Sequence, residues 1–337
     1  MALSKIPPAG HAQYAGARNL VTNGAMTISQ RGTSFSYAHD GSPSPFCLDR
    51  FKFILSTNNE QLDGTITQAS DGPAGFANSL KWTTGTAETT IDANDAVYLE
   101  HKIEAQNLQH LEYGASTAEA ITLSFYVKSS VTGTFSCGIY AGDSARIIGS
   151  TYTINSANTW ERKTITFAGD TGGTINNDTG EGLRPVWNLV AGSDFTSVDN
   201  TSWAAYTGGS NWAYGHAQNA LATTASATWQ LTGVQLEVGE ATPFEHRSFG
   251  DELLRCQRYF TKWDNGSVYY GTRYSSSNGF VILDCPVRMR AYPTVTVSSS
   301  QTSTGLDVAS YNSQERVAVY MASTAPYIGV TTASAEL

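Results

Sequence analysis

Six ionisable side chains that could support acid–base chemistry lie within sixteen residues of the chain: Glu237, Glu240, Glu245, His246, Asp251 and Glu252. Two carboxylates about 5–10 Å apart can hydrolyse a glycosidic bond, so the orientation of these acids matters. Glu237 lies in an alternating stretch, VQLEV, opposite Leu236 and Val238, which predicts that it faces solvent. Asp251 and Glu252 fall in the first turn of a predicted helix, where negative charge is favourable. Each acid has a structural explanation, and we predict no catalytic residues.

Other catalytic signatures are absent from the sequence. It contains no GxSxG, HExxH or GxxxxGKS/T motif. The glycine-rich stretch GDTGGTINNDTGEG lacks the lysine and the following helix that hold a phosphate group. The six histidines are scattered without the spacing of metal ligands. These absences favour a protein that is not an enzyme.

Two loops bring together the oxygen ligands that calcium prefers. The first, DANDA, contains Asp92, Asn94 and Asp95, and the second, NNDTGEG, contains Asp178 and Glu181. Asp and Asn are also ordinary turn residues, so a solvated turn is the alternative. Asp92, Asn94 and Asp95 form a candidate structural calcium site, and we predict no other cofactor.

Aromatic residues collect in the segment TSWAAYTGGSNWAYGH, residues 201–216. Sugar rings stack on exposed aromatic faces, while their hydroxyl groups form hydrogen bonds with polar side chains. We predict that Trp212 and Tyr214 are exposed and contact a glycan. Trp203 and Tyr206 are instead interpreted as core anchors. Burial is also the alternative for Trp212 and Tyr214, since large aromatic side chains are usually mostly buried.

The C-terminal part of the chain is rich in tyrosine and serine, a composition that makes adaptable binding surfaces. Tyr270, Tyr274 and Tyr311 are therefore further candidate glycan contacts. The alternative is that these tyrosines pack the core of a trimer.

Strands must position these residues. Period-two alternation recurs along the chain, as in AITLSFYVKSS. There Ile121, Leu123, Phe125 and Val127 are predicted to point inward, and Thr122, Ser124, Tyr126 and Lys128 outward. Clusters of Gly, Asn, Asp, Ser and Thr separate the strands. Many short strands with almost no helical periodicity predict an all-β protein, built around a jelly-roll-like antiparallel β-sandwich.

One helix interrupts the pattern at about residues 248–260. Ser248 and Asp251 have the spacing of a capping box, and Leu253, Gln257 and Phe260 fall on one side. We interpret this side as a candidate oligomer contact. The predicted organisation is an N-terminal arm (1–18), a sandwich (19–247), a linker helix (248–260) and a smaller C-terminal β domain (261–337).

Charge and composition exclude several functions. The net charge is −9, and residues 1–246 contain 12 Lys and Arg against 22 Asp and Glu. Such an acidic chain is not expected to bind nucleic acid or anionic lipid. No segment approaches the roughly 18 apolar residues of a membrane span, and the N-terminus lacks the apolar core of a signal peptide. We expect a cytosolic site of folding and four reduced, mostly buried cysteines.

Several blocks of sequence resemble a family of bacteriophage tail-fibre and virion structural proteins. They include NLVTNGAMTISQRGTSF (19–35), IEAQNLQHLEYGASTAEAITLSFYVKSS (103–130) and LTGVQLEVGEATPFEHRSFGDELLRCQRYF (231–260). The resemblance covers about residues 19–260 and is most specific in the last block. It implies a sandwich similar to carbohydrate-binding modules, assembly into a virion and homotrimers. The family has no assigned catalytic motif to transfer.

The pattern and the resemblance together predict a tail fibre that attaches a phage to its host without catalysis. Its partners would be other virion proteins, bound through the N-terminal arm, and a glycan or protein on the host surface. The protein would be made in the host bacterial cytoplasm and reside in the virion tail. The alternatives are a capsid decoration or head-fibre protein, and a glycan depolymerase.

Overall fold

The computed structural model describes residues 18–38, 46–56, 63–196, 200–209, 211–212, 219–263, 269–273, 275–276, 278–297, 313–321, 327–328 and 331–337. The chain divides into two compact units, residues 1–246 and 247–337. The predicted N-terminal arm lies outside the described residues apart from Arg18. Within the described part of the chain, no helix is long and apolar enough to cross a membrane.

The first unit contains two antiparallel sheets. Sheet 1 has the strand order β1–β3–β4–β13–β7–β10. Its strands are β1 (Ser34–Ala38), β3 (Asp63–Ala69), β4 (Ser79–Thr84), β13 (Thr228–Val238), β7 (Ile121–Ser129) and β10 (Glu161–Phe167). The neighbours β4, β13 and β7 are far apart in sequence, so the chain crosses between the sheets as in a jelly roll.

Sheet 2 has the order β12–β9–β8–β11–β5–β2, with β6 also paired to β11. Its strands are β12 (Ala204–Ala205), β9 (Arg146–Ile154), β8 (Gly133–Ala141), β11 (Glu181–Ala191), β5 (Ala96–His101), β2 (Phe51–Ser56) and β6 (Ile103–Glu104). The unit also contains a short helix, α1 (Ala220–Thr223), and the 3₁₀ turns Ala105–Asn107, Gln109–Leu111 and Ser193–Phe195.

The core of the first unit is formed by the alternating apolar residues. Trp82, Trp187 and Trp229 are buried in it, and the rings of Phe53 and Trp82 stack with centroids 5.0 Å apart. The inward positions predicted for β7 are all buried as well. The predicted fold class, an antiparallel jelly-roll-like sandwich, is therefore confirmed.

One expectation about the strands is wrong. Thr122 and Ser124 on β7, predicted to point outward, are buried, and Gln230 and Thr232 on the same face of β13 are buried with them. Residues of segments 70–78 and 239–246 pack on this outer face of sheet 1, as Phe76 does against Tyr126 and Thr242 against Glu237. The Thr122 hydroxyl, for example, donates a hydrogen bond to the Gly239 carbonyl group. The polar side chains thus lie under a second layer of main chain.

The second unit begins with helix α2 (Phe249–Gln257), followed by short strands around a small apolar core. The strands are β14 (Phe260–Trp263), β15 (Tyr269–Tyr270), β16 (Thr272–Arg273), β17 (Gly279–Asp284), β18 (Thr294–Val297), β19 (Arg316–Met321), β20 (Tyr327–Ile328) and β21 (Thr331–Ser334). They form the sheets β14–β21–β18, β15–β20 and β16–β17–β19.

Helix α2 starts where the sequence predicts, because Ser248 Oγ accepts the Asp251 N–H at 3.2 Å. It ends three residues earlier than predicted, at Gln257. Phe260 instead begins β14 and pairs with Ser334. The β-forming run Tyr259–Phe260–Thr261 favours this strand over another helical turn.

Candidate functional site

Glu237 on β13 was predicted to face solvent, and this prediction is wrong. Its side chain is only 2% exposed. Its carboxylate accepts hydrogen bonds from the Thr242 N–H at 2.9 Å, the Thr242 hydroxyl at 2.6 Å and the Gln235 amide at 2.8 Å. Glu237 does lie on the outer face of sheet 1, as the alternation indicates, but the following segment folds back over it.

Glu245 connects this segment to the start of the sandwich. Its carboxylate accepts the main-chain N–H groups of Arg18 at 3.3 Å and Asn19 at 2.9 Å. The Asn19 amide in turn donates to the Val234 carbonyl group at 2.9 Å. Gly24 lies against the same strand, where an added Cβ would be 2.1 Å from the Val234 oxygen. The segments 18–24 and 234–245 thus hold each other in place.

The other acids of the cluster are accounted for locally. Glu240 is exposed, the Asp251 carboxylate accepts the hydroxyl of the N-cap residue Ser248 at 2.7 Å, and Glu252 forms an ion pair with Arg247 at 3.4 Å. In the described ranges, no three His, Cys, Asp or Glu side chains are grouped so as to hold a metal ion. Four of the five acids of the cluster therefore take part in hydrogen bonds or an ion pair that connect neighbouring segments.

The segment that covers Glu237 also forms one side of a groove of about 480 Å³ on the outer face of sheet 1. We call it the aromatic groove. It is lined by Ala74, Phe76, Ser124, Tyr126, Arg162, Gly233, Ala241, Thr242, Pro243, Phe244 and His246. Sequence analysis did not identify this site.

Four rings in the groove pack against one another. Phe76 contacts Phe244 edge to face with centroids 4.9 Å apart, and lies 5.2 Å from the His246 ring. Phe244 and His246 are 4.8 Å apart, and Phe76 is 5.5 Å from Tyr126. Phe76, Tyr126 and Phe244 are half-buried, while His246 is exposed. The groove therefore presents ring edges and faces at its surface on a support of packed aromatic residues.

Three different segments supply these rings, and a β-bulge makes room for them. Phe76 lies between β3 and β4, Tyr126 on β7, and Phe244 after β13. The bulge in β13 lies between Thr232 and Gln235 and contains Gly233 at φ +61°. A Cβ at that position would be 2.8 Å from Phe76 Cζ, so only glycine leaves space for the ring.

Polar groups complete the aromatic groove. Arg162 on β10 is paired in register with Tyr126, and its Nη2 donates to the Thr242 carbonyl oxygen at 3.0 Å. Ser124 lies in the wall beside Tyr126. Aromatic rings beside hydrogen-bonding side chains form the kind of surface that binds a sugar.

Trp212 was predicted to be exposed, and this is wrong, since it is 7% exposed. Its ring packs edge to face against Tyr98 at 5.3 Å and Tyr206 at 5.6 Å on the outer face of sheet 2. The Arg184 guanidinium lies 5.7 Å from the Trp212 ring centroid and forms an ion pair with Glu100 at 3.1 Å. Trp212 thus helps to cover sheet 2, and no glycan contact follows from its position.

Only some of the remaining aromatic candidates lie within the described residues. Tyr270 on β15 is 80% exposed, so it is available to a partner. Tyr214, Tyr274 and Tyr311 lie outside the described residues. Trp203, predicted as a core anchor, is half-buried, and its Nε1 donates to the Ala168 carbonyl group at 2.7 Å.

The candidate oligomer contact is altered by the early end of α2. Leu253 and Gln257 are half-buried on the helix, whereas Phe260 is 6% exposed and lies in the sheet. The exposed apolar residues of α2 are instead Phe249 and Leu254, at 63% and 45%. A contact through Leu253, Gln257 and Phe260 stays a prediction, with Phe260 the least accessible of the three.

The candidate calcium loop is arranged as a turn. Asp95 is fully buried, and its carboxylate accepts the Asp92 N–H at 2.7 Å. The Asp95 N–H donates to the Asp92 carbonyl group at 3.1 Å. Asp92 is exposed and Asn94 half-buried. A calcium ion here stays a prediction.

Comparison with known proteins gives a fold likeness only. No protein-family model and no curated protein matches the chain. Among solved structures, the enzymatically active domain of tailspike protein 4 from bacteriophage CBA120 is 12% identical with a TM-score of 0.33, over 66% of this chain and 21% of that chain.

Carbohydrate-binding modules are also found. The family 11 module from Clostridium thermocellum, in complex with a β-1,3-1,4-mixed-linked tetrasaccharide, is 10% identical with a TM-score of 0.29, over 64% of this chain and 98% of that chain. The CBM22-1 xylan-binding domain of Xyn10C from Paenibacillus barcinonensis is 13% identical with a TM-score of 0.27, over 66% and 96%. Likeness at this level leaves the function to be argued from the residues of this chain.

Proposed function

We propose that this protein is a non-catalytic phage attachment protein that binds a host-surface glycan through the aromatic groove. The observation that carries the proposal is the packing of Phe76, Tyr126 and Phe244 beside Arg162 and Ser124. Half-buried rings held by one another lose little conformational freedom on binding, which favours recognition of a flexible sugar chain. The phage assignment is supported by the sequence blocks 19–35, 103–130 and 231–260.

The absence of a catalytic role is supported by the structural use of the acids. Glu237 and Glu245 are engaged by main-chain and side-chain donors, and these bonds fix the groove wall. An acid committed to three donors is poorly placed to protonate a leaving group, because proton transfer requires reach to the substrate.

Attachment through one shallow groove would be weak, so the proposal includes several copies. A homotrimer in the virion tail, anchored by residues 1–18, would present three grooves to the same cell surface. Multivalent binding can exceed the single-site affinity by about 10²–10⁴-fold. A capsid decoration or head-fibre role is the alternative, and it needs no glycan.

A bacterial glycan array tests the proposal. We expect the full chain to bind a subset of glycans, and the Tyr126→Ala/Phe244→Ala double variant to lose that binding while it remains folded at the assay temperature. Absence of binding to every glycan, even for a multivalent preparation, would favour the decoration role. Release of oligosaccharides from a bound polysaccharide would show instead that the protein is a depolymerase.

A further inference from the structure

The charge of the aromatic groove indicates which glycans it takes, an inference that depends on the proposed function. Its one permanently charged lining residue is Arg162, and none of the described residues that line it is acidic. This contrasts with the first unit as a whole, where Asp and Glu outnumber Lys and Arg. The charge of the groove is therefore opposite in sign to the net charge of the unit that contains it.

Arg162 differs from several other cations of this unit in that it forms no ion pair with a carboxylate of the described residues. Six of them form ion pairs with carboxylates: Arg31, Lys102, Lys128, Arg146, Lys163 and Arg184. Arg162 is exposed, and in the described residues it bonds to a main-chain carbonyl group and to no carboxylate. Its guanidinium keeps further N–H donors available for a ligand.

The surroundings also hold the Arg162 guanidinium in place. Nη2 donates to the Thr242 carbonyl oxygen at 3.0 Å, and Thr242 is itself fixed by two hydrogen bonds to the buried Glu237. Arg162 and Tyr126 are register partners on β10 and β7. A sugar ring against Tyr126 would therefore have its substituents within reach of a positioned guanidinium.

We propose that the aromatic groove selects an anionic polysaccharide, whose carboxylate or sulfate group binds Arg162 while its sugar rings contact Tyr126 and Phe244. A guanidinium matches the oxygens of both acid groups with two parallel hydrogen bonds. Because the protein is itself negative, non-specific attraction does not draw a polyanion to it. Preference for an anionic glycan must then come from a local cation.

Two pairs of polysaccharides test this selection and distinguish the two acid groups. Polygalacturonate is compared with its carboxyl-reduced form, and carrageenan with its desulfated form, by calorimetric titration of the full chain at low salt. We expect the acidic member of at least one pair to bind about tenfold more tightly than its neutral partner. The preference should shrink at high salt, because screening weakens an exposed charge pair.

Arg162→Gln should abolish the preference, so that the acidic member of each pair binds no more tightly than its neutral partner. The matched control is Lys163→Gln, which removes the same charge from the next position of β10, where Lys163 pairs with Glu161 at 2.6 Å. Equal affinity for both members of each pair, or a preference that survives in Arg162→Gln, would overturn the selection and leave glycan binding standing. Failure to bind either acidic polymer would overturn the selection, whereas glycan binding itself is decided separately by the bacterial array.

Discussion

Replacing Glu237 with alanine should destabilise the first unit strongly, because the carboxylate organises the wall of the aromatic groove. Glu237 is 2% exposed and accepts three hydrogen bonds, two from Thr242 and one from Gln235. Alanine would remove the acceptor of the buried Gln235 amide and of the half-buried Thr242 N–H and hydroxyl groups.

The size of the effect follows from the number of donors. Each buried donor that loses its partner costs about 1–3 kcal/mol, and more when the partner was charged. Gln235 retains a contact with the Pro243 carbonyl group at 3.4 Å, which reduces its share. Because Thr242 is half-buried, its two donors cost less than a buried donor, and we expect the free energy of unfolding to fall by about 2–4 kcal/mol.

Urea unfolding monitored by tryptophan fluorescence measures this change, since Trp82, Trp187 and Trp229 are all buried in the first unit. Glu240→Ala is the matched control, because Glu240 is exposed in the same segment. It should change the free energy of unfolding by less than about 0.5 kcal/mol. A Glu237→Ala variant as stable as the Glu240→Ala control would refute the structural role of the buried acid.

Three further outcomes follow. Gly233→Ala should destabilise the first unit by about 1–3 kcal/mol and weaken glycan binding in a calorimetric titration, because the added Cβ would meet the Phe76 ring. Gly239→Ala is the control, since Gly239 has a similar φ of +75° but open space around it. This variant should bind the glycan as the unmodified chain does. Burial, and then the Arg50 charge, hold the pKa of His101 well below 6.5. The unfolded chain then binds the proton more readily, so urea titrations should show stability falling below about pH 6.5 by up to 1.4 kcal/mol per pH unit for this group. The slope should be smaller in His101→Gln, where His110, whose pKa is also lowered by burial, still contributes. Trp212→Ala should lower stability by about 3–5 kcal/mol in the same unfolding assay and leave the groove's affinity unchanged.

Period-two alternation predicted the buried faces of the strands well, as Leu123 and Phe125 on β7 show. It did not predict whether the opposite face is covered. Glu237 points away from the sandwich core as expected, yet it is buried because segment 239–246 returns across the sheet. Alternation reports the direction of a side chain relative to its own strand, and a covering segment is a long-range contact.

The aromatic groove was missed for a similar reason. Its rings come from the loop between β3 and β4, from β7 and from the segment after β13. None of these stretches has a sequence pattern that indicates a binding site. Tyr126 at an outward position of β7 was the one signal present in the pattern. The predicted exposure of Trp212 was wrong because several aromatic residues in one loop can cover a sheet as readily as bind a ligand.

The most direct test of the account is the affinity of the full chain and of the Tyr126→Ala/Phe244→Ala variant for the strongest glycan found on a bacterial array. Calorimetry should give an affinity at least tenfold weaker for the variant, with no sugar released from the glycan by either protein. Equal affinities would show that the aromatic groove is not the binding site, and release of sugar would show that the protein cleaves what it binds.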